Sequence, residues 1–497
     1  MASKKRITIP ANRVEGDLEI RVEIEDGRVS DAFSMGIMFR GIENLMKGRA
    51  PLDGLVITPR VCGICTTSHL HAAAKALDVI YGVDVPDAAQ RVRDVASMVE
   101  MLQNDMRHTF HMFMPDIAHP AYSGHSLYEE AVSRYQPLEG TAVIETVRET
   151  NKILEIIAIL GGQWPHSSFM VPGGVASVID ANDIAQCRYL LAHFRNWYET
   201  RVLGCSIERW QAVSGEADLD VWLTETDSQR ESELGFFVRF MREAGLEGLG
   251  RGCGNYICFG FPGGEAGSKA THGFSAGFLT ADGSHPLDQA MIAEDVSHSR
   301  LKGIGAKHPF EGKTAPLGKD AAGDRYSWAK APRYNGEPTE TGPLAEVLVA
   351  GHPFYHDLIG AYGPSAFVRQ LARITRASRL IPLIEQFLED ISNERPVFFN
   401  NHPMVPKNEE GFGFIEAPRG LLGHWVRIED NAISNYQIIT PTAWNASPRD
   451  AVGQRGPLEM ALIDIPVKDE SDVVGIYHVI RSFDPCLVCA VHNVVIG

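Results

Sequence analysis

From Leu18 to Phe33 apolar and polar residues alternate, with Ile20, Val22 and Ile24 in step, a break at Asp26-Gly27 and a resumption at Val29. That pattern predicts a β-hairpin. Further on the period changes. Between Asp87 and about Phe113, Val92, Val95, Val99, Leu102, Met106 and Phe110 recur every three or four residues, as on one face of a long helix, and similar patterns run through 143–160, 182–203, 226–244 and 364–392. Pro382 lies inside the last of these and predicts a kink, because proline has no N–H for the helical ladder. Glycine- and proline-rich passages at 245–286 and 303–344 are long for loops, and long loops often carry function or interfaces. The expected fold is α+β and predominantly α. Long central helices form a bundle, joined to a small N-terminal β unit and long irregular loops. No repeat or linker divides the chain, so 1–497 reads as a single unit, with the hairpin at about 6–34 and a helical core at about 60–497.

Composition narrows the function classes. A chain of 497 residues that is 44% hydrophobic can bury a large core. A formal net charge of −17, from 63 acidic and 46 basic residues, argues against nucleic acid as a partner, since phosphate contacts need clustered Lys and Arg. The opening MASKKRITIPANRVEG lacks the apolar stretch of a secretory signal, and no run is long and apolar enough for a membrane span. A cytoplasmic location, or membrane association only through partner subunits, is therefore expected. Eight cysteines are too few for a disulfide scaffold, yet four form two Cys-x-x-Cys pairs. Cys62 and Cys65 stand in RVCGICTTSHLH, with His69 four residues on; Cys486 and Cys489 stand in FDPCLVCAVHNVVIG, followed by His492. Such ligands near a chain end suggest a tail held by metal. On spacing alone a structural zinc site is the common use of two such turns, although zinc ribbons place their pairs close in sequence. A thioredoxin-like redox pair is a third option, but neither turn sits in a recognisable βαβ unit.

The flanking residues discriminate among these options. RVCGIC with its following histidine, DPCLVCAVH, NRVEGDLEI, FRGIE at 39–43, PGGV at 172–175, YSWAKAPRYNGEPTETGPLA at 326–345 and EAPRGLLGHW at 416–425 together resemble the large subunit of nickel–iron hydrogenases, motif by motif and in order. The resemblance implies a catalytic subunit that splits H2 heterolytically at a thiolate-bound Ni–Fe centre. Cys62, Cys65, Cys486 and Cys489 would bind nickel, with Cys65 and Cys489 bridging to an iron that carries cyanide and carbon monoxide. Soft thiolates suit both metals. Glu15 of RVEG would take the proton passed from Cys486, Arg419 would stand over the open metal position, Asp484 would hold that arginine, and Pro418 would shape the pocket. His69 would donate to a bridging sulfur, and Glu43 and His492 would hold a second, harder ion, Mg2+, with waters and a backbone carbonyl near NYQIITPTAW. Cys187, Cys205, Cys253 and Cys258 read as packing thiols.

Partners follow from the same resemblance. The remaining cysteines make no iron–sulfur ligand set, so electrons would leave through an iron–sulfur small subunit. Maturation proteins and a C-terminal protease that removes Asn493 to Gly497 are also implied. Two other readings keep the fold: an H2-sensing regulatory subunit with the same site, and a metal-free relative of the complex I quinone-site subunit, besides the structural zinc protein. Two departures stand out. Many relatives carry Ser-His or Asp-His where this chain has Asn104-Asp105, followed by Met106-Arg107-His108, and Ile64 is bulkier than the common valine and would narrow the gas approach, as in oxygen-insensitive or H2-sensing members.

Overall fold

The computed structural model describes residues 5–261, 274–318, 323–393, 397–401, 407–468 and 472–490. The N-terminal hairpin is present and gains a strand, making an antiparallel meander of Lys5–Ala11, Leu18–Glu25 and Arg28–Gly36. Asp26 and Gly27 both adopt positive φ, 51° and 73°. Two left-handed residues are what a tight hairpin turn needs to match the strands' twist.

The helical readings hold in outline. Thr66–Tyr81, Asp87–Arg107 and Ala366–Asn393 pack together in one apolar core, and the second passes into a wider π-helical turn over His108–Phe113. The helix Ala366–Asn393 spans Pro382 unbroken. The carbonyl of Ser378, four residues back, has no ladder donor, and Gln211 Nε2 donates to it at 2.8 Å instead.

The β content exceeds the sequence expectation. Strands Tyr256–Phe261, Phe274–Thr280 and Gly283–His285 form one sheet inside a passage expected to be irregular, and Ile292–Asp295, Ala306–Lys307 and Ala331–Tyr334 form another. A third sheet comprises Glu409–Ala417, Gly420–Glu429 and Ala432–Ile439. Runs such as YICFGF are buried at every position, so they lack the alternation that marks a half-buried strand.

This last sheet positions the site. The helix Thr66–Tyr81 lies directly on the strand Glu409–Ala417: a Cβ on Gly413 would fall 2.1 Å from the Ala72 carbonyl oxygen, and one on Gly411 2.7 Å from that of Ala76. Only glycine permits that approach. As the strand advances from 411 to 413 the helix recedes from 76 to 72, so the strand's end meets the helix's start. The turn at Pro418 and Arg419 is thereby brought beside Cys65. Among the described residues no helix is long and apolar enough to cross a membrane.

Candidate metal centre

Cys62 and Cys65 lie on the loop that leads into the helix Thr66–Tyr81, with Cys65 at its N-cap. Cys486 and Cys489 lie near the end of the described chain, around the short helix Leu487–Ala490. All four thiols are buried, and their sulfurs lie within 4.8 Å of one another. Cys62 and Cys486 are 3.6 Å apart, Cys65 and Cys489 3.2 Å, and Cys486 and Cys489 3.1 Å. None is in a disulfide. Hydrogen bonding from Cys486 and its neighbours draws Cys62 well below the usual thiol range, whereas Cys65, through Cys486, and Cys489, through burial, are pushed well above it. Cys65 and Cys489 thus hold their protons more tightly than a free thiol, and a soft metal bound there would displace them.

Several contacts lock the C-terminal cysteine loop in place, and one of them ties it to the first. Residue 15 forms a parallel bridge with residue 486, the Leu487 N–H donating to the Glu15 carbonyl at 2.6 Å. Gly16, at φ 80°, passes so close that a Cβ would sit 2.9 Å from the Val488 nitrogen. Arg13 and Arg481 both pair with Asp116, and Arg481 also donates to the Asn12 carbonyl at 3.0 Å. Arg40 of FRGIE donates to the carbonyls of Val61 and, at 3.2 Å, Val488, one on each cysteine loop.

The polar surroundings come from four other segments. Arg419 Nε sits 3.0 Å from both the Asp484 carbonyl and its carboxylate, while Nη1 has no hydrogen-bond partner among the described residues. Burial alone would raise the Asp484 pKa, but Arg419, His108 and Arg373 hold it down at about 2. Asn104 Nδ2 donates to the same carboxylate at 2.9 Å. Glu15 is shifted the other way: burial raises its pKa, Arg419 offsets part of that, and Cys62 and Asp484 add to it. The Glu15 side chain lines a cleft of about 320 Å³ with Ile64, Asn104, His108, His111 and Met112. His69 lines a small pocket with Cys65, Cys489, Pro418 and Arg419.

The nickel-dependent hydrogenase family model matches residues 40–121 and 241–492. The chain belongs to the nickel-dependent hydrogenase family. It is 32% identical to the periplasmic [NiFeSe] hydrogenase large subunit of Desulfomicrobium baculatum, over 98% of this chain and 95% of that one. It is 30% identical to the hydrogenase-2 large chain of Escherichia coli K12, over 99% and 97%. Its fold matches the Ni-Fe-Se hydrogenase of D. vulgaris Hildenborough in the reduced state with a TM-score of 0.82 and 30% identity, covering 99% of this chain and 100% of that one. This hydrogenase has cysteine at all four clustered positions.

Of the residues singled out in the sequence, Glu15, Cys62, Cys65, His69, Pro418, Arg419, Asp484, Cys486 and Cys489 converge on this one centre. Glu43 does not. It is buried in a separate cluster, where its carboxylate accepts from Thr314, from Lys330 Nζ at 3.2 Å and from the Ile438 N–H at 2.9 Å. Lys330 also holds Glu294 at 3.1 Å and Gln437 at 2.6 Å. Two carboxylates and one ammonium share that cluster, and burial raises the Glu294 pKa to about 7. His492 lies outside the described residues. The hydrogenase site also uses residues that the motifs did not flag. Cys65 is the N-cap of its helix, yet its thiol belongs to the cluster and makes no cap. Glu100, from the neighbouring helix, takes over: its carboxylate accepts from the N–H groups of Thr67 and Ser68 at 2.7 and 2.9 Å and from the Ser68 hydroxyl at 2.7 Å. These are the N2 and N3 amides that a cap normally satisfies. Burial raises the Glu100 pKa to about 7 against those hydrogen bonds. A glutamate in an apolar helical run was the available signal.

Proposed function

We propose that this chain is the catalytic subunit of an H2-oxidising hydrogenase. The observation that carries the reading is one buried set of four thiols with a guanidinium nitrogen that has no partner among the described residues and a raised-pKa carboxyl beside it. Cys62, Cys65, Cys486 and Cys489 would hold nickel and an iron bearing cyanide and carbon monoxide, a group that supplies the soft, electron-rich site at which H2 is split. The chain's own residues do the rest. Glu15, tied by its backbone to residues 485–487, would take a proton from the Cys486 sulfur, and the upward push of burial on its pKa favours a carboxyl that holds that proton. Arg419, held at Nε by Asp484, leaves Nη1 to face charge developing over the cluster. Ile64 and Met112 line the cleft that runs to Glu15, so its width there sets the approach of small molecules. Glu43, with His492, would hold Mg2+ in the second cluster, and electrons would leave through an iron–sulfur small subunit. Relatives named as uptake hydrogenase large subunits, at 25–28% identity, favour uptake over sensing.

The test is metal analysis and infrared spectroscopy of the protein purified with whatever subunits accompany it. Nickel and iron in equal amounts, diatomic-ligand bands, and H2-dependent reduction of an artificial acceptor are expected. Stoichiometric zinc without nickel would return the site to a structural role.

A further inference from the structure

Behind His69 runs a hydrogen-bonded chain of three buried side chains. Tyr436 Oη lies 2.9 Å from His424 Nδ1, and His424 Nε2 lies 3.1 Å from His69 Nδ1. The sheet sets the first spacing. His424 pairs with Ile438 and Tyr436 with Val426, so the two are diagonal neighbours on adjacent strands. The helix lying on that sheet supplies His69.

The chemistry of these groups gives the chain a direction. A phenol has one proton, and burial keeps Tyr436 protonated far beyond its ordinary range. The hydrogen bond of that hydroxyl runs to His424 Nδ1, and a buried O–H that does not donate forfeits its bond. Tyr436 is therefore the donor and His424 Nδ1 the acceptor. A neutral imidazole carries one proton, so His424 bears it on Nε2 and donates to His69 Nδ1. His69 in turn must carry its own proton on Nε2, at the other edge of a ring that lines a pocket with Cys65 and Cys489.

We propose that Tyr436, acting through His424, is a positioning residue that fixes the tautomer of His69, so that the ring offers an N–H and not a lone pair beside the Cys65 and Cys489 sulfurs. The inference rests on the metal-bound thiolate reading above. A thiolate facing a donor gives less electron density to its metals than one facing a lone pair, so the relay tunes the site without touching it.

Neutron diffraction of the deuterated holoenzyme reads the relay directly. Deuterium on Tyr436 Oη, His424 Nε2 and His69 Nε2 is expected, and deuterium on His69 Nδ1 overturns the proposal. Tyr436→Phe, with full metal content, should shift the diatomic-ligand bands to lower frequency and lower the midpoint potential of the site. His424→Gln should keep both near wild type, because the amide can accept from Tyr436 through oxygen and donate to His69 through nitrogen. Unchanged bands and potential in a fully loaded Tyr436→Phe protein would refute the tuning role. Absence of nickel and iron from the wild type would defeat the functional reading instead, and the neutron result would still judge the relay.

Discussion

Replacing Glu100 by alanine should destabilise the protein by an amount that shrinks as pH rises. The substitution strips the acceptor from three donors, the N–H groups of Thr67 and Ser68 and the Ser68 hydroxyl. A buried donor left unpaired costs about 1–3 kcal/mol, so with partial relaxation the loss is about 3–5 kcal/mol. A second effect opposes it. The Glu100 pKa rises from 4.5 to about 7 on burial, which corresponds to about 3 kcal/mol of tighter proton binding by the folded state. A raised folded pKa means a contribution fully present below the unfolded value of 4.5 and lost as pH climbs through about 7. Alanine has no such proton to lose. The gap between wild type and variant should therefore be about 3–5 kcal/mol near pH 5 and roughly 1–2 kcal/mol near pH 8. For a chain of this size, with unfolding entropy near 2.1 cal/mol/K per residue, that is a difference of about 3–5 °C in Tm at the acidic end. Thermal unfolding of both proteins at equal metal content, from pH 5 to 8, measures it. A gap that stays constant or widens with pH would show that the Glu100 carboxylate is not held against its desolvation as described.

Glu15→Gln should keep metal content and lose most turnover, because an amide retains the shape but takes no proton; H2 oxidation assayed beside nickel analysis checks it. Arg419→Lys should lower the rate by an order of magnitude or more, since an ammonium cannot both engage Asp484 and present a fixed second nitrogen to the cluster, and a wild-type rate in fully loaded protein would remove Arg419 from the chemistry. Loss of Cys62, Cys65, Cys486 or Cys489 should abolish nickel retention or activity, whereas Cys187→Ala or Cys253→Ala should at most disturb packing; metal content read across the six variants is the measurement. Intact mass of the loaded chain should end at His492 if the last five residues are removed, and a full-length active protein would favour an unprocessed form.

The cysteine ligands were legible because soft-metal chemistry restricts residue type and local spacing so tightly that both halves of the site remain visible in a linear text. Arg419, Asp484 and Glu15 were legible through the motifs around them and not through any periodicity. Arg40, Glu100 and His424 escaped for a common reason: each acts on a loop or helix distant in sequence, through carbonyls, amides or ring nitrogens that leave no local mark, and Tyr436 acts only through His424 on the next strand. The sheets at 256–285 and 409–439 were hidden for a different reason. Strands such as Tyr256–Phe261 and Gly420–Glu429 are buried on both faces, so the period-two signal is erased where packing is tightest. Asn104 and Asp105 show the opposite case. Read as departures with no assigned role, they prove to be anchored partners, Asn104 of Asp484 and Asp105 of Arg376 through two bonds at 2.8 and 2.7 Å.

The pairing of Glu15 with Cys486 carries a consequence for the order of events during folding. Cys62 and Cys486 are 424 residues apart, and bringing such distant points together costs about 5 kcal/mol of chain entropy unless the intervening structure has already drawn them close. The helix resting on its glycine strand does this: it stations the first thiol pair beside the Pro418 turn before the last segment is needed. The final turn then has only to dock along residues 14–16, where the Glu15 N–H and C=O pair with Pro485 and Leu487. A ribosome-bound chain lacking its last few dozen residues would therefore hold most of the core, an open half-site of two thiols, and a slot shaped for the missing piece. Residues 14–16, a linker between two strands, serve as the template on which the chain closes.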